Sequence, residues 1–277
     1  MNGTLTFLGT GTSMGVPTVG CSCSVCTSAN PRDRRLRPSV LIRWSQAQPA
    51  PGLPPRERNV VIDTGPDFRE QALRTRLTQL DAVFYTHAHA DHIFGLDDLR
   101  PLSFVAHRAG SSLPLYASPE TQAVLERVYD YTFKANATYA TRARVQIRPL
   151  ADRLNLHGAE FLRVPVLHGK LEVAGFRFGD TAYLTDVSEI PESSFALLQD
   201  LETLVLPALR HEPHPSHATV AQAVEWARRI GARQTWLTHI AHELGHHETN
   251  SLLPHNVRMA WDGLEVPIRL NGAPEAA

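Results

Sequence analysis

The apolar run Ala82-Val83-Phe84-Tyr85 is followed at once by Thr86-His87-Ala88-His89-Ala90-Asp91-His92. Side chains at i and i+2 of an extended chain share one face, so His87 and His89 reach a single cation together. A turn just beyond them carries Asp91 and His92 to a second cation. Small alanines between the ligands suit a crowded metal loop, whereas a polar loop holding three histidines by chance has no need of them. Such a loop completes a site only where other strand ends supply the remaining ligands.

Three strand ends do so. His168 follows the strand-like run 160–166, Asp186 follows 181–185, and His239 follows 234–238. One histidine or aspartate in such a position is usually a cap or a surface group. Three of them downstream of the histidine-rich turn form a ligand set. Composition agrees: the chain carries 14 histidines beside three cysteines, and histidine is the commonest metal ligand and the side chain that titrates nearest neutrality.

The 277 residues, 43% apolar and 20% charged, suit a globular chain large enough to bury a core without disulfides. With 27 Lys+Arg against 28 Asp+Glu the net charge is −1, so no overall basic field draws the chain to nucleic acid or anionic lipid. A local basic patch is still allowed. The first residues lack the basic and apolar regions of a signal peptide. No run approaches the roughly 18 apolar residues of a membrane span. A cytoplasmic protein with no membrane partner is expected.

Strand-like runs recur at 4–8, 39–44, 59–63, 82–85, 145–150, 160–166, 181–185, 203–206, 234–238 and 264–270. They are short, mostly β-branched or aromatic, and bounded by Gly, Pro or Asp. Helical patterns occupy 66–76, 119–129, 193–199 and 218–230. The last is clearest, with Val220, Ala223, Val224 and Ala227 at helical spacing and Gly231 as the stop. Strands dominate early and alternate with helices late, the pattern of layered α/β sheets in one domain spanning 1–277. Segment 45–58, with Pro49, Pro51, Pro54 and Pro55, reads as a loop between two strands rather than an interdomain linker.

Cys21, Cys23 and Cys26 lie within six positions and are odd in number, a poor disulfide framework. Three thiolates so spaced can wrap one tetrahedral zinc, its fourth ligand coming from elsewhere. A thioredoxin-like role does not fit, because Cys23-x-x-Cys26 does not open a helix after a strand. The stretch Gly9-Thr10-Gly11-Thr12-Ser13-Met14-Gly15-Val16-Pro17 lacks the Lys-Ser/Thr ending of a Walker loop. Its amides line a pocket edge or form a plain turn.

The order His87-x-His89-x-Asp91-His92, then His168, Asp186 and His239, resembles the metallo-β-lactamase superfamily, and the likeness extends to Asn59-Val60-Val61-Ile62-Asp63-Thr64-Gly65. The resemblance implies an αββα four-layer sandwich with two divalent cations, Zn or Mn, at one edge. One cation would take His87, His89 and His168, the other Asp91, His92 and His239, with Asp186 between them. Asp63 is read as fixing the motif loop by hydrogen bonds rather than binding metal. Oxygen-reducing relatives carry Glu where this chain has His89, which favours hydrolysis.

The cysteine cluster resembles the PhnP-type phosphodiesterase branch, in which a Cys3His structural zinc takes its histidine three positions after the last catalytic-metal histidine. Here that position is His242. The branch implies hydrolysis of a small or cyclic phosphate ester, such as a phosphoribosyl 1,2-cyclic phosphate or a 2′,3′-cyclic nucleotide. A tRNA 3′-processing endonuclease and a PqqB-like protein share the core and are the alternatives. Related enzymes carry a histidine at the helix start occupied by His217, which makes it the expected general acid beside Asp91. His211 and Arg210 are alternatives for acid or phosphate contact. His214 reads as a solvated group; His246, His247 and His255 line the rim or the surface. A small phosphodiester is the expected partner, nucleic acid is not, and the superfamily's habit implies a homodimer.

Overall fold

The computed structural model describes residues 1–47, 54–134 and 141–271. Fourteen strands among them form two sheets. The strands are β1 (Asn2–Gly9), β2 (Ser39–Gln46), β3 (Arg56–Ile62), β4 (Ala82–Phe84), β5 (Leu113–Ala117), β6 (Val145–Pro149) and β7 (Arg153–Leu156), then β8 (Ala159–His168), β9 (Leu171–Phe178), β10 (Thr181–Tyr183), β11 (Thr203–Pro207), β12 (Gln234–Thr238), β13 (Val257–Met259) and β14 (Glu265–Arg269). One sheet runs β14-β1-β2-β3-β4-β5-β6 and the other β13-β12-β11-β10-β9-β8-β7. In each, antiparallel pairs give way to three parallel pairs: β3 to β6 in the first, β10 to β13 in the second.

Strand alternation sorts the side chains into layers. Val60 and Ile62 face the space between the sheets while Val61 faces the outer helices; Ala82 and Phe84 point inward and Val83 outward. In the second sheet Val205 points inward while Leu204 and Leu206 pack under the helix Val220–Ile230 through Ala223, Ala227 and Ile230. At the centre Phe84 lies 5.1 Å, ring to ring, from both Phe161 and Phe176. Burying such a side chain stabilises by roughly 1.5–3 kcal/mol. The order helix, sheet, sheet, helix is the expected αββα arrangement.

The helix Val220–Ile230 is bounded as its sequence requires. Thr219 and Gln222 form a reciprocal capping box, and Gly231 ends the helix in a left-handed conformation. Strands β5, β7, β9 and β13 lie outside the runs expected from sequence. β5 contains Pro114 and β9 contains Gly175, both strand-weakening residues. Gly175 is required by close packing, since a Cβ there would meet the Leu184 side chain at 2.2 Å. The helices Arg100–Arg108 and His246–Leu252 were equally unmarked. Between β2 and β3 both strands run further into segment 45–58 than expected, and Pro49 and Pro51 lie outside the described residues. Among the described residues no helix is long and apolar enough to cross a membrane.

Candidate metal centre

The parallel strands β3 and β4 end side by side, and their C-terminal turns build the first half of the site. After β3 the chain turns through Asp63, left-handed at φ 63°, into Thr64 and Gly65. The Thr64 N–H donates to the His92 carbonyl at 2.8 Å, and the Gly95 N–H donates to the Thr64 carbonyl at 2.8 Å. Only glycine fits at 65, because a Cβ would lie 2.0 Å from the Asp91 carbonyl oxygen. After β4 come His87 and His89, and the short helix Ala90–Ile93 then presents Asp91 and His92.

The other ligands arrive from the second sheet, where β8 ends at His168 and the chain leaves β10 and β12 toward Asp186 and His239. Asp186 and His239 are left-handed at φ 54° each, so three of the six non-glycine left-handed residues among the described residues flank this site. Such conformations cost about 1–3 kcal/mol and persist where the surroundings impose them.

Two sets of donor atoms hold the expected ligands, those within each set lying within 4.8 Å of one another: His87, His89 and His168 in one, and Asp91, His92, Asp186 and His239 in the other; His217 forms a third such set with His168 and Asp186. Asp186 joins the first two. Its Oδ1 lies 3.1 Å from His239 Nε2 and 3.9 Å from His168 Nε2, and its Oδ2 lies 3.1 Å from His92 Nε2. His92 Nε2 is also 3.2 Å from Asp91 Oδ2.

The far side of several imidazoles is fixed by hydrogen bonds. His92 Nδ1–H donates to Asp63 Oδ2 at 2.7 Å, and His168 Nδ1–H donates to the Ser216 carbonyl at 2.6 Å. Asp63 also accepts from the Thr86 amide and hydroxyl, at 2.8 and 2.7 Å. These bonds leave Nε2 of both rings turned inward, as second-sphere partners do in metal sites.

The donor set fits divalent cations. His87 Nε2, His92 Nε2 and both ring nitrogens of His239 are buried without a hydrogen bond, an expensive arrangement for polar atoms unless a cation takes the lone pairs. Burial favours the neutral form of Asp186, yet His239 and His92 hold its carboxyl well below the usual range. Burial opposes charging of His239, but Asp186 and Asp91 push it up to about 9. A proton thus occupies lone pairs for which a cation competes. Imidazole and carboxylate together suit Zn, Mn or Fe.

Beside these residues opens a cleft of about 220 Å³ lined by residues including Thr12, Ser13, Arg210, His214, His217 and Glu243. The Gly-rich start therefore does line the pocket. His217 stacks on His239 at 4.7 Å between ring centres and lies tilted against His168 at 4.5 Å. Burial and then the neighbouring His239 lower its pKa to about 3, so the ring is neutral, with Nδ1 buried and unpartnered 3.7 Å from Asp186 Oδ1. Arg210 pairs with Glu243 at 3.5 Å. His211 is exposed and does not line the cleft. His214, read from sequence as solvated, lines it and lies 4.9 Å from the His217 ring. His246 is buried against Trp261, away from the rim.

Cys21, Cys23, Cys26 and His242 converge in a separate cluster. His242 Nδ1 lies 3.3 Å from both Cys21 Sγ and Cys23 Sγ. Backbone amides donate to all three sulfurs: Thr18 to Cys26 at 3.3 Å, Cys23 to Cys21 at 3.5 Å, and Cys26 to Cys23 at 3.4 Å. The bond to His242 lowers the Cys23 thiol to about 6, aided by the Cys26 amide. Four N/S donors with no disulfide are the chemistry of a closed structural zinc site. Nothing in the sequence marks Arg35, which sits in the charged run Arg32-Asp33-Arg34-Arg35. It is buried, and its guanidinium donates to the carbonyls of Ala241 at 2.9 Å and Leu244 at 2.6 Å, clamping the loop that carries His239 and His242.

Residues 58–240 match the beta-lactamase superfamily domain. A diphosphatase of the PhnP family, known from its crystal structure, is 48% identical, with 98% of this chain and 99% of that chain aligned at a TM-score of 0.87. The chain belongs to the PhnP family. In this PhnP-family member the ligand sets of a candidate metal centre are in place. The octanoyltransferase of Porphyromonas gingivalis is 35% identical over 272 residues, 96% of this chain but 51% of that protein. The chain spans about half the length of the first curated relatives it matches. Zinc-bound PqqB of Methylobacterium extorquens shares the fold at 18% identity and a TM-score of 0.69, with 95% of this chain and 99% of that one aligned.

Proposed function

We propose that the chain hydrolyses a small phosphodiester, cyclic or linear, at a two-cation centre. The observation that carries this reading is the shared carboxylate of Asp186, which lies against donors of both ligand sets beside a cleft holding Arg210 and His217. His87, His89 and His168 would hold one cation, Asp91, His92 and His239 the other, with Asp186 between. When bound, a pair of divalent cations supplies an activated water and neutralises phosphoryl oxygens in an in-line displacement.

The side chains do the rest. Asp91 orients the attacking water and accepts its proton as the new O–P bond forms. His217 delivers a proton to the leaving oxygen as the old P–O bond breaks. A neutral imidazole cannot do this, so the phosphate anion of the substrate must first raise its proton affinity. Arg210, swung from Glu243, contacts a phosphoryl oxygen. Cys21, Cys23, Cys26 and His242 would hold a structural zinc that contributes folding energy and no activated water.

Phosphoric anhydrides undergo the same displacement, and the 48% identical diphosphatase favours that second reading. A panel of cyclic diesters, linear diesters and diphosphate-linked compounds, assayed after reconstitution with Mn, Zn and Fe, separates the two. A salt titration with tRNA tests the nuclease alternative, because phosphate contacts make RNA binding steeply salt-dependent. His217→Ala should lower turnover about 10²–10⁴-fold on alkyl diesters and far less on nitrophenyl diesters, whose leaving group needs no proton. Near-normal turnover by Asp91→Ala with its metal content intact would contradict the mechanism.

A further inference from the structure

The inner face of the sandwich changes character at the end remote from the metal centre. On β3, Arg58 and Arg56 continue the alternation of Ile62 and Val60, and Arg58 stands opposite the core residue Trp44. On the edge strand β6, Arg148 stands opposite Tyr116, another core residue. Positions that alternation assigns to apolar side chains therefore carry guanidinium groups. Together with His157 from the β7–β8 turn they line a cleft of about 390 Å³.

Charge in this cleft is one-sided. Its sole acidic side chain, Asp81, pairs with Arg58 at 2.7 Å and accepts the Asn59 amide at 2.8 Å. The Arg56 side chain has no hydrogen bond or ion pair among the described residues, and the side-chain hydrogen bond of Arg148 goes to the neutral Gln146 side chain at 3.2 Å. Burial, then Arg58, lowers the proton affinity of His157, and Arg56 adds to the effect. The lining also supplies an apolar surface from Val105, Pro114, Leu156 and Tyr116. Since β3 and β4 run from this end toward Asp63 and His87, the seven residue steps from Arg56 to Asp63 separate cleft and metals by roughly 20 Å.

We propose that this cleft is a second ligand site, distinct from the metal centre, that binds a small organic monophosphate of nucleotide size. Arg56 and Arg148 present planar forks matched to phosphate oxygens, and the apolar surface receives the organic body. The volume falls within the roughly 300–1,000 Å³ typical of small-molecule sites. Binding here does not depend on the reaction proposed for the metal centre.

The test uses isothermal titration of AMP into the zinc-reconstituted full chain, with inorganic phosphate in parallel. Arg56→Glu/Arg148→Glu, exposed positions both, should weaken AMP binding at least tenfold while metal content and thermal midpoint are retained. Phosphate alone should bind more weakly than AMP. Arg56→Ala/Arg148→Ala, with intermediate loss expected, serves if the charge reversal misfolds. Undetectable AMP binding, or affinity unchanged in the variant, overturns the site. Equal affinity for phosphate and AMP overturns its organic specificity. A chain with no hydrolytic turnover still gives each of these answers.

Discussion

Asp63 accepts the Nδ1–H of His92 at 2.7 Å while its other oxygen accepts the Thr86 amide at 2.8 Å, so one buried carboxylate fixes both the ring and the loop of the metal motif. Burial pushes Asp63 up, and the facing His92 opposes that shift. The aspartate acts through His92, which makes it a positioning residue.

Asp63→Asn isolates that role. Asparagine tolerates the left-handed backbone at φ 63° but cannot supply the negative charge behind His92. Metal affinity, read by competition with a chromogenic chelator, should fall about 10–100-fold, with little change in circular dichroism. Unchanged affinity would leave Asp63 a merely structural turn residue.

Removing one thiolate tests the second cluster. Cys23→Ser should lower the melting temperature and remove one zinc equivalent, because thiolate zinc without an open position contributes folding energy. Full stability with unchanged zinc content would reject a structural zinc.

His246 gives the fold a pH dependence of its own. Burial, aided by Arg32 and Arg35, lowers its pKa from 6.5 to about 4. A depressed folded-state value means the native state resists protonation, so stability from this group is complete above pH 6.5 and is lost as pH falls toward 4. Urea midpoints should decline across that window, and His246→Gln should flatten the decline. An identical slope in the variant would place the acid sensitivity elsewhere.

Much of this was legible before any fold was seen, for reasons that can be named. The ligands were readable because metal chemistry restricts them to few residue types and strand ends restrict where they sit: His168, Asp186 and His239 each follow an apolar run. β12 was readable because Gln234–Thr238 combines two threonines with Trp236 and Leu237 and follows closely on the helix stop at Gly231. β9 was not, since Gly175 answers to Leu184 across the fold rather than to its own strand. Arg35 was invisible because burial of a charge is decided by the carbonyls of Ala241 and Leu244, more than 200 positions away. His211 and His214 could not be told apart by spacing, because which of them faces the cleft depends on how the loop before Thr219 bends.

Anomalous scattering from crystals of the zinc-loaded chain tests the central claim most directly. Two peaks about 3.5–4 Å apart are expected, one among His87, His89 and His168 and one among Asp91, His92 and His239, with Asp186 touching both; a third should lie among Cys21, Cys23, Cys26 and His242. A single peak in the histidine cluster, or none, would contradict the two-cation account.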